Sequence, residues 1–177
     1  YLAGRGIDRA AEEISRAFPG YPVVISAGEV IKSSVESRPS LVLATPGAQP
    51  DIPGGYAAVV ILDGMRFFSH TDINGQERAR ELIFETASLI QEKGRVLLVL
   101  DEVHPIVPAL ARWNVAPLLK RELAERDELQ LPPYVASAVL VMDAVTAPQI
   151  LSGLKKALAE GRIPSSTRIY GPTVLPK

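Results

Sequence analysis

Two apolar runs, Ala57–Leu62 (AAVVIL) and Arg95–Leu100 (RVLLVL), bracket a segment of helical periodicity. A strand with one wet face alternates apolar and polar residues. A run without alternation needs cover on both faces, as in a parallel sheet. Parallel neighbours in turn need a long crossover. Here a helix predicted over Gly75–Glu92 supplies it, with Ala79, Leu82, Ile83, Ala87 and Ile90 as its buried stripe. Asp72 or Asn74 would cap its start, and Lys93-Gly94 would stop it. The sequence therefore reads as α/β, built on a parallel, doubly wound sheet.

The rest of the chain extends this pattern. A helix is predicted from Ile7 to Phe18 and is stopped by Pro19-Gly20. Strands follow at Pro22–Ser26 and Leu41–Ala44, with a helical turn between them at Glu29–Ser34. The stretch from Pro46 to Gly55 is dense in proline and glycine and reads as a loop. Beyond Pro105 come a short helix over Val107–Trp113 and a charged helix over Pro117–Gln130, broken by Pro132-Pro133. A strand at Tyr134–Met142, a helix at Ala147–Leu158 and a short strand at Thr167–Tyr170 complete the reading.

Composition narrows the function classes. Hydrophobic residues make up 47% of the 177 positions and aromatics only 6%, so the core is aliphatic. The absence of cysteine excludes disulfides and thiolate zinc sites within these residues. No apolar run reaches the roughly 18 residues of a membrane span. The net charge of −1 is unlike that of a free-standing nucleic-acid binder, so DNA contacts would need a local basic patch. The chain starts at Tyr1 rather than Met and reads as a piece of a longer protein.

Candidate chemistry is sparse. Asp101-Glu102-Val103-His104 ends the second apolar strand and is similar to the acidic box that holds Mg²⁺ in nucleotide-driven helicases. That box works with a phosphate-cradling loop, and no G-x-x-x-x-G-K-[ST] sequence is present. His70 and Asp72 form an acid–base or metal-ligand pair on paper, against the plainer reading of a solvated loop. The loop from Thr45 to Gly55 lies at a strand's C-terminal end, where open α/β sheets bind ligands. The charged helix around Lys120–Glu128 is either a partner surface or a solvated face, and Trp113 either core or an interface anchor.

One segment is more distinctive. Glu122-Leu123-Ala124-Glu125-Arg126, followed by Leu129-Gln130-Leu131-Pro132-Pro133-Tyr134, resembles the E-R-x-x-L-x-x-P-P-aromatic linker of the primosomal protein N′ (PriA) family. In that family it joins the second helicase lobe to the C-terminal domain. Further similarities cover nearly the whole chain. They include Glu12-Glu13 with Phe18-Pro19-Gly20, the strand Leu41–Thr45, the strand Val59–Asp63, and Ile169-Tyr170-Gly171-Pro172 with Lys177.

The resemblance implies a RecA-like helicase lobe 2 over 1–105, a helical linker over 106–133, and the start of a small α+β C-terminal domain over 134–177. The linker motif then comprises Glu125, Arg126, Leu131, Pro132, Pro133 and Tyr134, and Lys177 belongs to a DNA-binding end. The implied setting is cytoplasmic replication restart. The implied partners are forked DNA, other primosome proteins and single-stranded-DNA-binding protein, with no membrane. ATP with Mg²⁺ and a structural zinc are implied for the family, the zinc cysteines lying upstream of Tyr1, and neither cofactor is expected in this chain.

Departures from the family pattern bear on activity. Thr45 is followed by Pro46-Gly47-Ala48-Gln49-Pro50 in place of a Lys-Gly-His loop. Counted without gaps, the arginine-bearing helicase motif falls on Glu85, Ser88, Leu89, Gln91 and Glu92. The nucleotide-facing positions left are Thr45, Arg78 and Arg80. The expectation is a scaffold that recognises branched DNA without hydrolysing ATP. The alternatives are an active 3′–5′ helicase using Arg78 or Arg80, and an unrelated α/β enzyme or ligand-binding domain with its site at Thr45–Gly55.

Overall fold

The computed structural model describes residues 3–69 and 73–173. It is a mixed α/β structure with parallel strand pairs. Two compact units divide the chain, Tyr1–Glu122 and Leu123–Lys177.

In the first unit, helix α1 (Ala3–Ala17) precedes β1 (Val23–Ser26) and β2 (Leu41–Ala44). β1 and β2 pair in parallel, Val23 beside Leu41 and Ser26 beside Ala44. β3 (Tyr56–Ile61) leads through a 3-10 helix, Gly64–Ser69, to α2 (Gly75–Ser88) and β4 (Ile90–Leu98). β3 and β4 are likewise parallel, in the crossover arrangement expected from the two apolar runs. Short α3 (Ile106–Ala111) follows, and α4 (Ala116–Glu128) carries the chain past Glu122. The core is compact: Ile61 of β3, Ile83 of α2 and Ile106 of α3 are buried together. Val59, Phe67, Phe68, Phe84, Leu98, Leu100, Leu110 and Leu118 pack around them.

Several expectations need correction. The strands form two separate two-stranded sheets among the described residues, not one wide sheet. The long helix ends at Ser88, and β4 begins two residues later. Strand pairing outcompetes helix continuation there: the Tyr56 N–H donates to Leu89 O at 2.8 Å, and Tyr56 sits opposite Ile90. Gly94 is therefore no helix stop. A Cβ on it would lie 2.9 Å from both the Ile90 Cβ and the Tyr56 carbonyl oxygen, so it permits a close approach beside the register shift.

The helical turn expected at Glu29–Ser34 is a tight reversal instead. Ala27 and Val30 exchange both backbone hydrogen bonds (3.1 and 3.0 Å), with Gly28 at φ +58°. The capping expectation is half met. Asn74 stands at the N-cap of α2 without a side-chain capping bond, and Asp72 lies outside the described residues.

In the second unit, α5 (Ala147–Ala159) matches its prediction. The strands expected at Tyr134–Met142 and Thr167–Tyr170 do not form. Their composition favours strands, but a strand needs a ladder partner, and no described strand pairs with them. Val139, Leu140 and Val141 remain 86%, 60% and 73% exposed in consequence. No helix among the described residues is long and apolar enough to cross a membrane.

Candidate functional site

The C-terminal edge of β1–β2 is organised by Ser26, which is fully buried. Its hydroxyl donates to the Ala48 carbonyl at 2.7 Å and accepts from the Lys32 N–H at 2.9 Å. One side chain thus pins both loops leaving that edge. Thr45-Pro46-Gly47-Ala48 is a type II turn, closed by the Ala48 N–H on Thr45 O at 2.9 Å, with Gly47 at φ +82°. Beyond it Gln49 Nε2 donates to Thr86 Oγ1 on α2 at 2.8 Å, and the Tyr56 hydroxyl donates to Pro50 O at 2.7 Å. Burial, and then the Asp51 charge, push the Tyr56 phenol above its usual range.

The proline- and glycine-rich loop is consequently fastened down, with Ala48 and Pro50 buried. Thr45 is half-buried, and its N–H donates to Ser26 O. Sequence reasoning named Thr45 but missed Ser26, because a serine ending a strand carries no signal of its two partners. Ser26→Ala should destabilise the chain by about 2 kcal/mol in urea melts, since it removes the side-chain partner of the buried Ala48 carbonyl and of the partly buried Lys32 N–H.

The C-terminal edge of β3–β4 carries the acidic segment. Asp63 sits at φ +50°, and the next N–H, from Gly64, donates to Val99 O at 2.9 Å. Asp101, Glu102 and Val103 are exposed. No group of three or more His, Cys, Asp or Glu side chains suited to a metal ion exists among the described residues. His104 has a structural task. Its ring lies 4.1 Å from that of Phe68, centroid to centroid, and its Nδ1 accepts the Ile106 N–H at 3.2 Å at the start of α3. Nδ1 must be unprotonated for that bond. Burial lowers the imidazole pKa from 6.5, and the Glu102 charge opposes this in part.

The unfolded chain takes up the His104 proton first as pH falls, so stability drops as pH falls below about 6.5 and levels off below the folded-state value. Melts at pH 7.5 and pH 5 should show the chain less stable at the lower pH. His104→Asn, which keeps an acceptor for the Ile106 N–H, should remove that part of the difference.

On α2 the two candidate arginines differ in setting. Arg78 is exposed. Arg80 is drawn inward, where its Nη1 meets Glu122 Oε2 of α4 at 2.6 Å, the two side chains being 11% and 18% exposed. An open groove of about 390 Å³ runs beside the pair, lined by Glu77, Arg80, Glu81, Phe84, Val115 and Leu119. The positions counted for the arginine-bearing motif fall on two elements. Glu85 and Ser88 are on α2, whereas Gln91 and Glu92 belong to β4.

In the second unit the Pro-Pro motif forms the end of α4. The Leu131 N–H donates to Arg126 O at 2.8 Å and the Gln130 N–H to Asp127 O at 3.1 Å, with Gln130 at φ +52°. This is a Schellman ending, with glutamine where glycine is usual. The Glu125 carbonyl accepts the Leu129 N–H, Arg126 Nη1 donates to Pro132 O at 3.0 Å, and the Tyr134 N–H donates to Leu131 O at 3.1 Å. The motif residues are thus brought together as a clasp on the helix end.

Downstream, Asp143 accepts from the Val145 and Thr146 N–H groups and the Thr146 hydroxyl, and these bonds, led by the Thr146 N–H, lower its pKa. Lys155, Lys156, Arg162, Arg168 and Tyr170 are all exposed, and Glu160 is the one acid between Asp143 and Thr173. The near-neutral whole-chain charge hides this local basic stretch. Lys177, His70 and the partner expected for it, Asp72, lie outside the described residues.

No protein-family profile matches the chain. Curated relatives do. The chain is 38% identical over 175 residues to the probable replication restart protein PriA of Mycobacterium leprae (strain TN). It is 36% identical over 178 residues to proteins of the same name from Mycobacterium tuberculosis (strain CDC 1551 / Oshkosh) and Mycobacterium bovis (strain ATCC BAA-935 / AF2122/97). Each match covers 97% of this chain and 26% of the relative, so the chain spans about a quarter of the relatives' length.

Proposed function

Over 97% of its length the chain belongs to the replication restart protein PriA family, and we propose that it serves replication restart as a non-hydrolysing scaffold that helps recognise branched DNA at stalled forks. The first unit is then a RecA-like second helicase lobe, and the second opens a DNA- and partner-binding C-terminal domain. The protein works in the cytoplasm, with forked DNA, other primosome proteins and single-stranded-DNA-binding protein as partners. Sequence identity over almost the whole chain is the observation that carries this reading.

Two features of the chain support its parts. Exposed Lys155 and Arg168, with Lys156 and Arg162 around Glu160 and exposed Tyr170 in the same stretch of sequence, suit a phosphate backbone and a stacked base. The scaffold reading draws on Arg80, whose guanidinium already serves Glu122. An arginine finger must reach out to a transferring phosphate, and Arg80 would have to give up this pair to do so. The residues described do not fit ATP with Mg²⁺ either: Asp101 and Glu102 are exposed without a third ligand group, and no phosphate loop accompanies them. We place both ATP chemistry and the family's zinc outside these residues.

Fork binding by the full-length protein tests the proposal. It should bind forked DNA more tightly than linear duplex, with affinity falling as salt rises. Replacing Lys155, Lys156, Arg162 and Arg168 with alanine should flatten the log–log salt slope, by about 0.9 for each phosphate no longer neutralised. Equal affinity for forked and linear duplex would sink the reading.

A further inference from the structure

Two asparagines lie among the 177 residues, and their settings differ. Asn114 is followed by Val115, and its Oδ1 accepts the Ala116 N–H at 3.1 Å. Asn74 is followed by Gly75 and stands exposed at the N-cap of α2, where its side chain makes no capping bond. Its backbone carbonyl accepts the Arg78 N–H at 3.0 Å, which closes the first turn. Gly75 is the first residue of the helix, and an N–H at that position has no acceptor within its own helix. Asn74 Cγ and the Gly75 nitrogen are the two atoms that would close a five-membered ring. Glycine has no Cβ, so it neither shields its nitrogen nor resists the backbone rotation that ring closure needs. The branched side chain of Val115 does both to Asn114.

We propose that Asn74-Gly75 is a self-modifying site, which converts spontaneously to aspartate or isoaspartate and so places a new charge at the head of α2. The Gly75 nitrogen gives its proton to solvent and attacks Asn74 Cγ. The N–Cγ bond forms, the Cγ–Nδ2 bond breaks, and Nδ2 takes up a proton from solvent and leaves as ammonia. Water, the one co-reactant, then adds to the succinimide. Opening at Cγ gives aspartate, and opening at the backbone carbonyl gives isoaspartate. The two products act oppositely on the helix. Aspartate keeps the N-cap and adds a negative charge where the positive end of the helix favours one. Isoaspartate routes the main chain through Cβ and takes the carbonyl that holds the Arg78 N–H out of the backbone. The helix affected is the one that carries Arg80, paired with Glu122, and the core residue Ile83.

Peptide mass spectrometry tests this without reference to DNA. Trypsin cuts after Arg66, Arg78, Arg112 and Lys120, so the two asparagines fall on separate peptides, 67–78 and 113–120. Full-length protein would be incubated natively and in urea, and the exchange of amide for acid followed on both peptides. Native Asn74 should react at least about tenfold faster than native Asn114, because glycine leaves the attacking nitrogen open and valine covers it. The native rate at Asn74 should lie within about a hundredfold of the rate in urea, because the first turn of a helix opens at little cost. Aspartate and isoaspartate should both appear, identified against synthetic peptides. Asn74→Gln, which would have to close a six-membered ring, should leave peptide 67–78 unmodified over the same period. Equal native rates at the two asparagines would overturn the proposal. So would a native rate at Asn74 more than about a hundredfold below that in urea, since the fold would then be guarding the site. Aspartate without isoaspartate would also sink it, by replacing the ring with direct hydrolysis.

Discussion

Replacing Arg80 with alanine is expected to cost about 3 kcal/mol of stability, the lower end of what breaking a buried ion pair costs. Arg80 Nη1 and Glu122 Oε2 are 2.6 Å apart, and both side chains are largely withdrawn from water. Truncating the arginine takes the Arg80 guanidinium away from a carboxylate that is largely withdrawn from water. The penalty comes from a desolvated charge with less to offset it, more than from the missing attraction. A variant carrying both Arg80→Met and Glu122→Leu should therefore recover most of the stability, since apolar groups of similar size carry no desolvation cost. Urea melts of the two variants measure the difference, and equal losses would show that the pair is not what holds α2 to α4.

The same substitution bears on activity. DNA-stimulated ATP turnover by the full-length protein that disappears with Arg80→Ala, and also with Arg80→Lys, which keeps a cation for Glu122, would make the arginine a phosphate contact and end the scaffold reading. Arg78→Ala provides the companion measurement, because Arg78 is the other candidate left on that helix.

Much of the first unit was legible because its apolar runs leave few choices. AAVVIL and RVLLVL had to be strands, and the periodic segment between them had to be their crossover helix. The boundary at Ser88 was not legible. Gln91, Glu92 and Lys93 are good helix formers, and only pairing of Tyr56 with Leu89 and Ile90, which are distant in sequence, pulls this stretch into β4. Gly94 misled for the same reason: glycine marks a helix stop and a close backbone approach with one letter.

The site residues divide similarly. The Pro-Pro motif was readable as a local pattern, and it does form a local structure at the end of α4. Glu122 as the partner of Arg80, and Ser26 as the pin of two loops, depend on interactions across long sequence separations. Tyr134–Met142 makes the converse point. Valine and leucine give it the composition of a strand, but composition cannot supply a partner.

Ile83→Ala should cost about 3–5 kcal/mol, at least as much as the truncation of Arg80. Ile83 is fully buried on α2, in one cluster with Ile61 and Ile106, both also buried. The substitution removes three methyl or methylene groups from the centre of a core with three fully committed members. Ile83→Val removes one and should cost only about 1 kcal/mol.

The contrast with the sheet's other face is the sharper measurement. Ile61 and Val60 are adjacent in β3, at 5% and 53% exposure. In the 177-residue chain Ile61→Ala should cost about 2–5 kcal/mol and Val60→Ala less than about 1 kcal/mol, because the valine has little cover to lose.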